Sequence, residues 1–180
     1  MSDRSTFGIA AFALFLACIP LANWMIGHVG TLCPPDAPCQ IPVAPGILAP
    51  SGVLMIGVAL VLRDTVQRLL GSVWALVAVA FGTAVSFILA PPALVLASGV
   101  AFLLSELADF AVYTPLQRRR LLLAVLASSA AGLVVDSIVF LTLAFGSLDY
   151  VGGQIIGKAW ALLIAFPLVR LLRRVTPAPT

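Results

Sequence analysis

The chain has 180 residues, of which 62% are hydrophobic and 9% charged, with a net charge of +3 and a mean hydropathy of +1.15. Soluble domains carry about 25% charged residues, and a chain of this length cannot hide so much apolar surface in an aqueous fold. Lipid is its natural solvent, and the basic excess, which sits in short clusters between apolar runs, reads as a topology signal rather than a nucleic-acid surface.

A membrane helix needs roughly 20 mainly apolar residues at about 1.5 Å each. Six segments qualify, at about residues 7–26, 51–70, 72–90, 93–113, 121–145 and 150–172. The expected fold is all-α: one six-helix transmembrane domain filling residues 1–180. The first segment reads as a span rather than a cleaved signal peptide. Arg4 makes a weak n-region, and Leu16-Ala17-Cys18 only faintly resembles a lipoprotein cleavage site. The loop that follows holds Cys33-Pro-Pro-Asp-Ala-Pro-Cys39. Two cysteines in an extracytoplasmic loop predict a disulfide, with two free thiols as the alternative. Pro50 stands just before the second span, where proline is tolerated. Pro91 and Pro92 break the run between the third and fourth.

Orientation follows from the arginines. Arg4 precedes the first span, Arg63 and Arg68 end the second, Arg118, Arg119 and Arg120 follow the fourth, and Arg170, Arg173 and Arg174 end the sixth. With six spans they all fall on one side. The connections on the other side carry no lysine or arginine. Both termini are therefore expected in the cytoplasm.

Ionisable groups inside spans are expensive and mark functional candidates. In the second span Arg63, Asp64, Gln67 and Arg68 occupy the last two turns. The Asp64 and Arg68 spacing allows a helix pair, and interfacial anchoring is the alternative. In the fourth, Ser98, Phe102, Glu106, Asp109 and Tyr113 step along one face. Asp109 lies ~6 Å and Glu106 ~10 Å from the end at Tyr113. In the fifth and sixth, Asp136 and Lys158 lie ~14 Å and ~12 Å from the same side, with Gln154 one turn above Lys158. Equal depth and opposite charge predict a pair or a shared ligand, against a purely structural bridge. Rows of small residues, Ser128 and Gly132 before Asp136, and Gly157, Ala161 and Ala165, suit close helix packing. The second and fourth spans both begin Ser-Gly-Val, at Ser51 and Ser98, a weak repeat of the kind transporters carry. No Walker motif, catalytic triad or metal-ligand cluster is present, which argues against an enzyme and calls for no cofactor and no metal.

The polar landmarks come in a distinctive order. Asn23-Trp24 is followed by Leu62-Arg63-Asp64-Thr65-Val66-Gln67-Arg68-Leu69-Leu70-Gly71. Ala97-Ser98-Gly99-Val100-Ala101-Phe102 leads to Glu106-Leu107-Ala108-Asp109. Val135-Asp136-Ser137, Phe140 and Ala144-Phe145 come next, then Gly157-Lys158 and Pro167. This series resembles the queuosine precursor transporter family, also called the VUT family of putative vitamin uptake transporters, over nearly the whole chain. The resemblance implies a six-span, multi-pass inner-membrane protein. It would import deazaguanine precursors of a modified tRNA nucleoside, or a similar small nucleobase or vitamin. Asn23, Asp64, Asp109, Asp136 and Lys158 are the positions it carries over. Phe102, Glu106 and Gln154 join them as expected substrate-binding residues. A deazaguanine presents a ring N–H beside an exocyclic amine, and one carboxylate accepts from both. Asp109 or Glu106 is expected to read that edge, with Phe102, Tyr113 or Trp160 stacking on the ring. Partners implied are the bilayer, a nucleobase-like solute and no nucleic acid, with either further copies of the chain or energy-coupling subunits. The leading reading is a secondary transporter acting alone, coupled to protons through a buried carboxylate. The alternative is the substrate-binding subunit of an energy-coupling factor importer, docked through Ala13-x-x-x-Ala17.

Overall fold

The computed structural model describes residues 3–35, 38–89, 95–148 and 150–175. Pro91 and Pro92, and the side chains of Arg4, Ala165, Arg170, Arg173 and Arg174, lie outside the described residues. Among the described residues there are six helices: α1 (Asp3–His28), α2 (Val53–Leu70), α3 (Ser72–Leu89), α4 (Val95–Leu116), α5 (Leu121–Phe145) and α6 (Val151–Val175). Four of them, over Ser5–His28, Ser72–Leu89, Val95–Leu116 and Leu121–Phe145, are long and apolar enough to cross a bilayer, and Val151–Ile164 is a shorter apolar stretch. Large apolar side chains are exposed along the helices, and several charged ones are buried between them. Ile88, Val73, Leu96 and Ile164 are 70% exposed or more, whereas Arg63 and Asp109 are 0% exposed. That inversion suits a protein whose outer solvent is hydrocarbon.

Helix α2 explains the inversion. It packs against all five other helices, and Arg63, Asp64, Thr65 and Gln67 are all buried along it. A helix at the centre of the bundle has no lipid-facing side, so its polar residues meet protein partners. Arg63 is therefore not an interfacial anchor at the end of a span. It stands seven residues, ~10 Å, inside the helix. Close approach makes the central position possible. A side chain on Gly57 of α2 would stand 2.7 Å from the Lys158 carbonyl of α6, and one on Gly132 of α5 would stand 2.9 Å from Leu60. The joint between α2 and α3 is Gly71 alone, at φ 100°, a region that side-chain-bearing residues rarely enter.

The helical fold is as expected, with one addition that was not anticipated. The segment between α1 and α2 contains an antiparallel hairpin, β1 (Gln40–Ala44) and β2 (Ile47–Pro50). The signal was Ala44-Pro45-Gly46-Ile47. Proline presets the first turn position, and Gly46 adopts φ 72° at the second. Cys33 and Cys39 are joined by a disulfide. The Cys39 N–H donates to the Ile26 carbonyl at 2.7 Å, and the Ser51 hydroxyl donates to the Met25 carbonyl at 2.8 Å. The hairpin is thereby fastened to the end of α1. On its other flank the Trp160 indole donates to the Val43 carbonyl at 2.9 Å.

Candidate functional site

Two polar centres lie inside the bundle at different depths. The first borders a cavity of about 90 Å³ at the hairpin end. A single water needs roughly 10–15 Å³ of such space, so this volume admits more than one. Every helix contributes to its wall. α1 provides Ile19 and Asn23, α2 Val53 and Ile56, α3 Ser86, α4 Ser98 and Phe102, α5 Asp136, Phe140 and Phe145, and α6 Gln154 and Lys158. Pro38 and Pro50, at the base of the hairpin, complete the rim.

The cavity's polar side is built around Lys158, which is 1% exposed. Its ammonium donates to Asp136 Oδ2 at 2.5 Å, Ser137 Oγ at 2.8 Å and Gln154 Oε1 at 2.8 Å. All three of its hydrogens are used. Because lysine cannot accept, Gln154 must turn its oxygen to Lys158, which leaves its NH₂ group for other partners. The Asp136 side chain is 13% exposed. Its carboxylate has acceptor positions beyond the one that Lys158 takes. Asn23 donates to the Ile19 carbonyl at 3.0 Å. The facing walls are apolar. Phe102 is 6% exposed and backed by Phe15 at a centroid distance of 6.1 Å. Phe140 and Phe145 meet edge to face at 6.0 Å.

The second centre lies farther from the hairpin, around Arg63. Its Nη1 donates to Asp64 Oδ1 at 2.8 Å, Asp109 Oδ1 at 3.0 Å and Gln67 Oε1 at 3.1 Å. Its Nη2 donates to the Glu106 carbonyl at 3.2 Å, and its Nε stands 3.5 Å from Glu106 Oε2. The guanidinium also lies over the Phe110 ring, 5.0 Å from its centroid. Ser128 on α5 donates to Asp64 Oδ2 at 3.0 Å. One cation thus faces three carboxyl groups, each 1% exposed or less.

These positions revise the expected site. Of the eight anticipated substrate residues, Asn23, Phe102, Asp136, Gln154 and Lys158 line the cavity, and Asp64, Glu106 and Asp109 do not. The latter three are held by Arg63. Asp109 and Glu106, expected to read the edge of a substrate, thus stand outside this cavity. Asp64 meets Arg63 and Ser128, where a pair with Arg68 had been expected from spacing. Arg68 donates to the Gln117 carbonyl at 3.3 Å. Of the three expected stacking residues, Phe102 alone lines the cavity. Tyr113 is buried beside Val61 and Leu121, and Trp160 is 51% exposed and engaged by the hairpin. Sequence reasoning missed Ser86, and it marked Phe140 and Phe145 only as landmarks. The two rings stand four and nine residues beyond Asp136, and the first spacing could have flagged Phe140 as its neighbour on the same face.

Residues 85–172 match the family described as putative vitamin uptake transporter. This is the family that the order of polar residues resembles. The matched stretch spans α4 and α5 and most of α6. It holds Phe102, Glu106, Asp109, Asp136, Gln154 and Lys158. The similarity of that stretch to putative uptake transporters, together with the apolar spans, supports a transport role in a membrane. In comparisons with curated proteins and with solved structures nothing matches.

Proposed function

We propose that the protein imports a deazaguanine nucleobase, the precursor of queuosine, across the inner membrane, and that the cavity at the hairpin end is its binding site. In this reading all six helices span the bilayer, both termini are cytoplasmic, and the cavity opens outward. The observation that carries it is the pairing of Asp136 and Gln154 on one side of the cavity with Phe102 and Phe140 among its walls. Asp136 offers acceptors to the ring N–H and the exocyclic amine. The Gln154 NH₂ group offers donors to the neighbouring carbonyl oxygen. An aromatic wall suits a flat heterocycle. Lys158 holds both polar groups in place.

The test is uptake of labelled deazaguanine by a host that lacks queuosine synthesis, its own importer and any energy-coupling ATPase module. Restored queuosine in tRNA is the expected result. Removing a hydrogen bond to a charged group loses about 1.5–3 kcal/mol. Asp136→Asn should therefore reduce uptake by roughly tenfold or more. Unaltered uptake in folded Asp136→Asn would refute the assignment of the site.

A second reading has its own observation. Ala13 and Ala17 both lie exposed on the outward face of α1, four residues apart, as a helix-docking seam requires. That face suits an energy-coupling subunit. Uptake that appears only when such a module is supplied would decide for it.

A further inference from the structure

Arg63 Nη1 carries two hydrogens and faces three oxygens: Asp64 Oδ1, Asp109 Oδ1 and Gln67 Oε1. The glutamine cannot relieve the shortage by turning over. Thr114 donates its only hydroxyl hydrogen to the Phe110 carbonyl at 2.7 Å, so its oxygen must accept from Gln67 Nε2 at 2.9 Å. Gln67 Oε1 therefore stays on Arg63. Charge is short in the same place. Three ionised carboxylates around one guanidinium would leave an excess charge of minus two at the buried centre of the bundle. Two of the carboxyl oxygens, Asp109 Oδ2 and Glu106 Oε2, have no hydrogen-bond partner among the described residues.

We infer that Asp64 and Asp109 together bind one exchangeable proton, and that this proton drives the transport proposed above. Hydrogen count and charge point the same way. A proton on the pair supplies the missing hydrogen and removes one unit of the excess negative charge. A metal ion suits the place less well, because the guanidinium that already bridges the carboxylates would repel it. Binding adds H⁺ and no electrons. The pair passes from minus two to minus one, and returns on release. Other charged and titratable groups nearby are Arg63 and Arg68 on α2 and Glu106 and Tyr113 on α4. Asp136 on α5 and Lys158 on α6 stand toward the cavity, while Ser128 is the α5 group in contact. The chain gives α3 no charged residue. Glu106 stands one turn, ~6 Å, along α4 from Phe102 at the cavity wall. Its Oε2 accepts no hydrogen bond among the described residues and stands 3.5 Å from Arg63 Nε, and Glu106 is the carboxyl group of this centre nearest along α4 to the cavity wall.

The proton site is tested without substrate. Full-length protein in lipid nanodiscs at neutral pH should show the infrared carbonyl band of a protonated carboxylic acid, shifted in heavy water. The band should vanish in Asp64→Asn and in Asp109→Asn and persist in Asp136→Asn. Absence of the band from folded unsubstituted protein overturns the inference, whatever the variants do. So does a band that survives both asparagine substitutions and is lost only in Glu106→Gln. The driving role rests on the transport reading and has a separate readout. Proteoliposomes given a deazaguanine base should acidify inside as they take it up. Uptake without acidification overturns the coupling and leaves the transport reading standing. Failure of uptake overturns the transport reading, while the infrared band still decides the proton site.

Discussion

Lys158 has three ammonium hydrogens and three acceptors, on α5 and α6, and this arithmetic sets the consequence of removing it. Lys158→Met would leave the Asp136 carboxylate without its cation in a largely buried place. Breaking such a pair costs about 3–5 kcal/mol. Adding Asp136→Asn should recover much of that loss, because residues in contact do not contribute additively. Unfolding of the two single variants and the double variant in detergent checks this, and additive losses would contradict it. Both residues were legible in the sequence as charges at equal depth. Their shared partner Ser137 was not, because a serine in an apolar run carries no signal of its own. Arg63 was legible as a charge in the last two turns of its helix, but its burial was not. Its partners Glu106 and Asp109 come from a helix more than forty positions away.

At the scale of elements, α2 depends on small residues where α6 crosses it. A Cβ on Gly57 would meet the Lys158 backbone, whereas one on Gly152 of the same α6 meets nothing within 4 Å. Gly57→Val is expected to lose about 1–3 kcal/mol through overpacking. Gly152→Val should stay within about 0.5 kcal/mol of the parent. Thermal unfolding of the two variants side by side separates a crossing constraint from a general intolerance of valine. The Gly57→Val variant should also lose uptake disproportionately, since the clash falls on the residue that organises the cavity. The small-residue row of α6 was visible as a pattern. Which helix it packed against was not, because such rows suit any neighbour.

For the whole molecule, the distribution of charge makes a topological prediction. Arg118, Arg119 and Arg120 are exposed between α4 and α5, at the end opposite the cavity and the disulfide hairpin. With the proposed orientation, a lone cysteine introduced as Arg119→Cys, in a background without the other cysteines, should react with an impermeant thiol reagent only after intact cells are opened. Labelling in intact cells would invert the orientation, turn the cavity toward the cytoplasm and convert the proposed importer into an exporter or a cytoplasm-facing binding protein.

The sequence by itself determined the membrane class and the six helical stretches, because hydropathy and the length needed to cross hydrocarbon are local properties of the chain. It also singled out nearly every ionisable residue of the interior, since a charge within an apolar run stands out wherever it points. Only the tertiary structure decided how those charges divide. Asp136 and Lys158 border a cavity, while Asp64, Glu106 and Asp109 surround Arg63. The division depends on which helix occupies the centre of the bundle and on how closely its glycines let the others approach. Those are contacts between segments far apart in the chain, and no local periodicity encodes them.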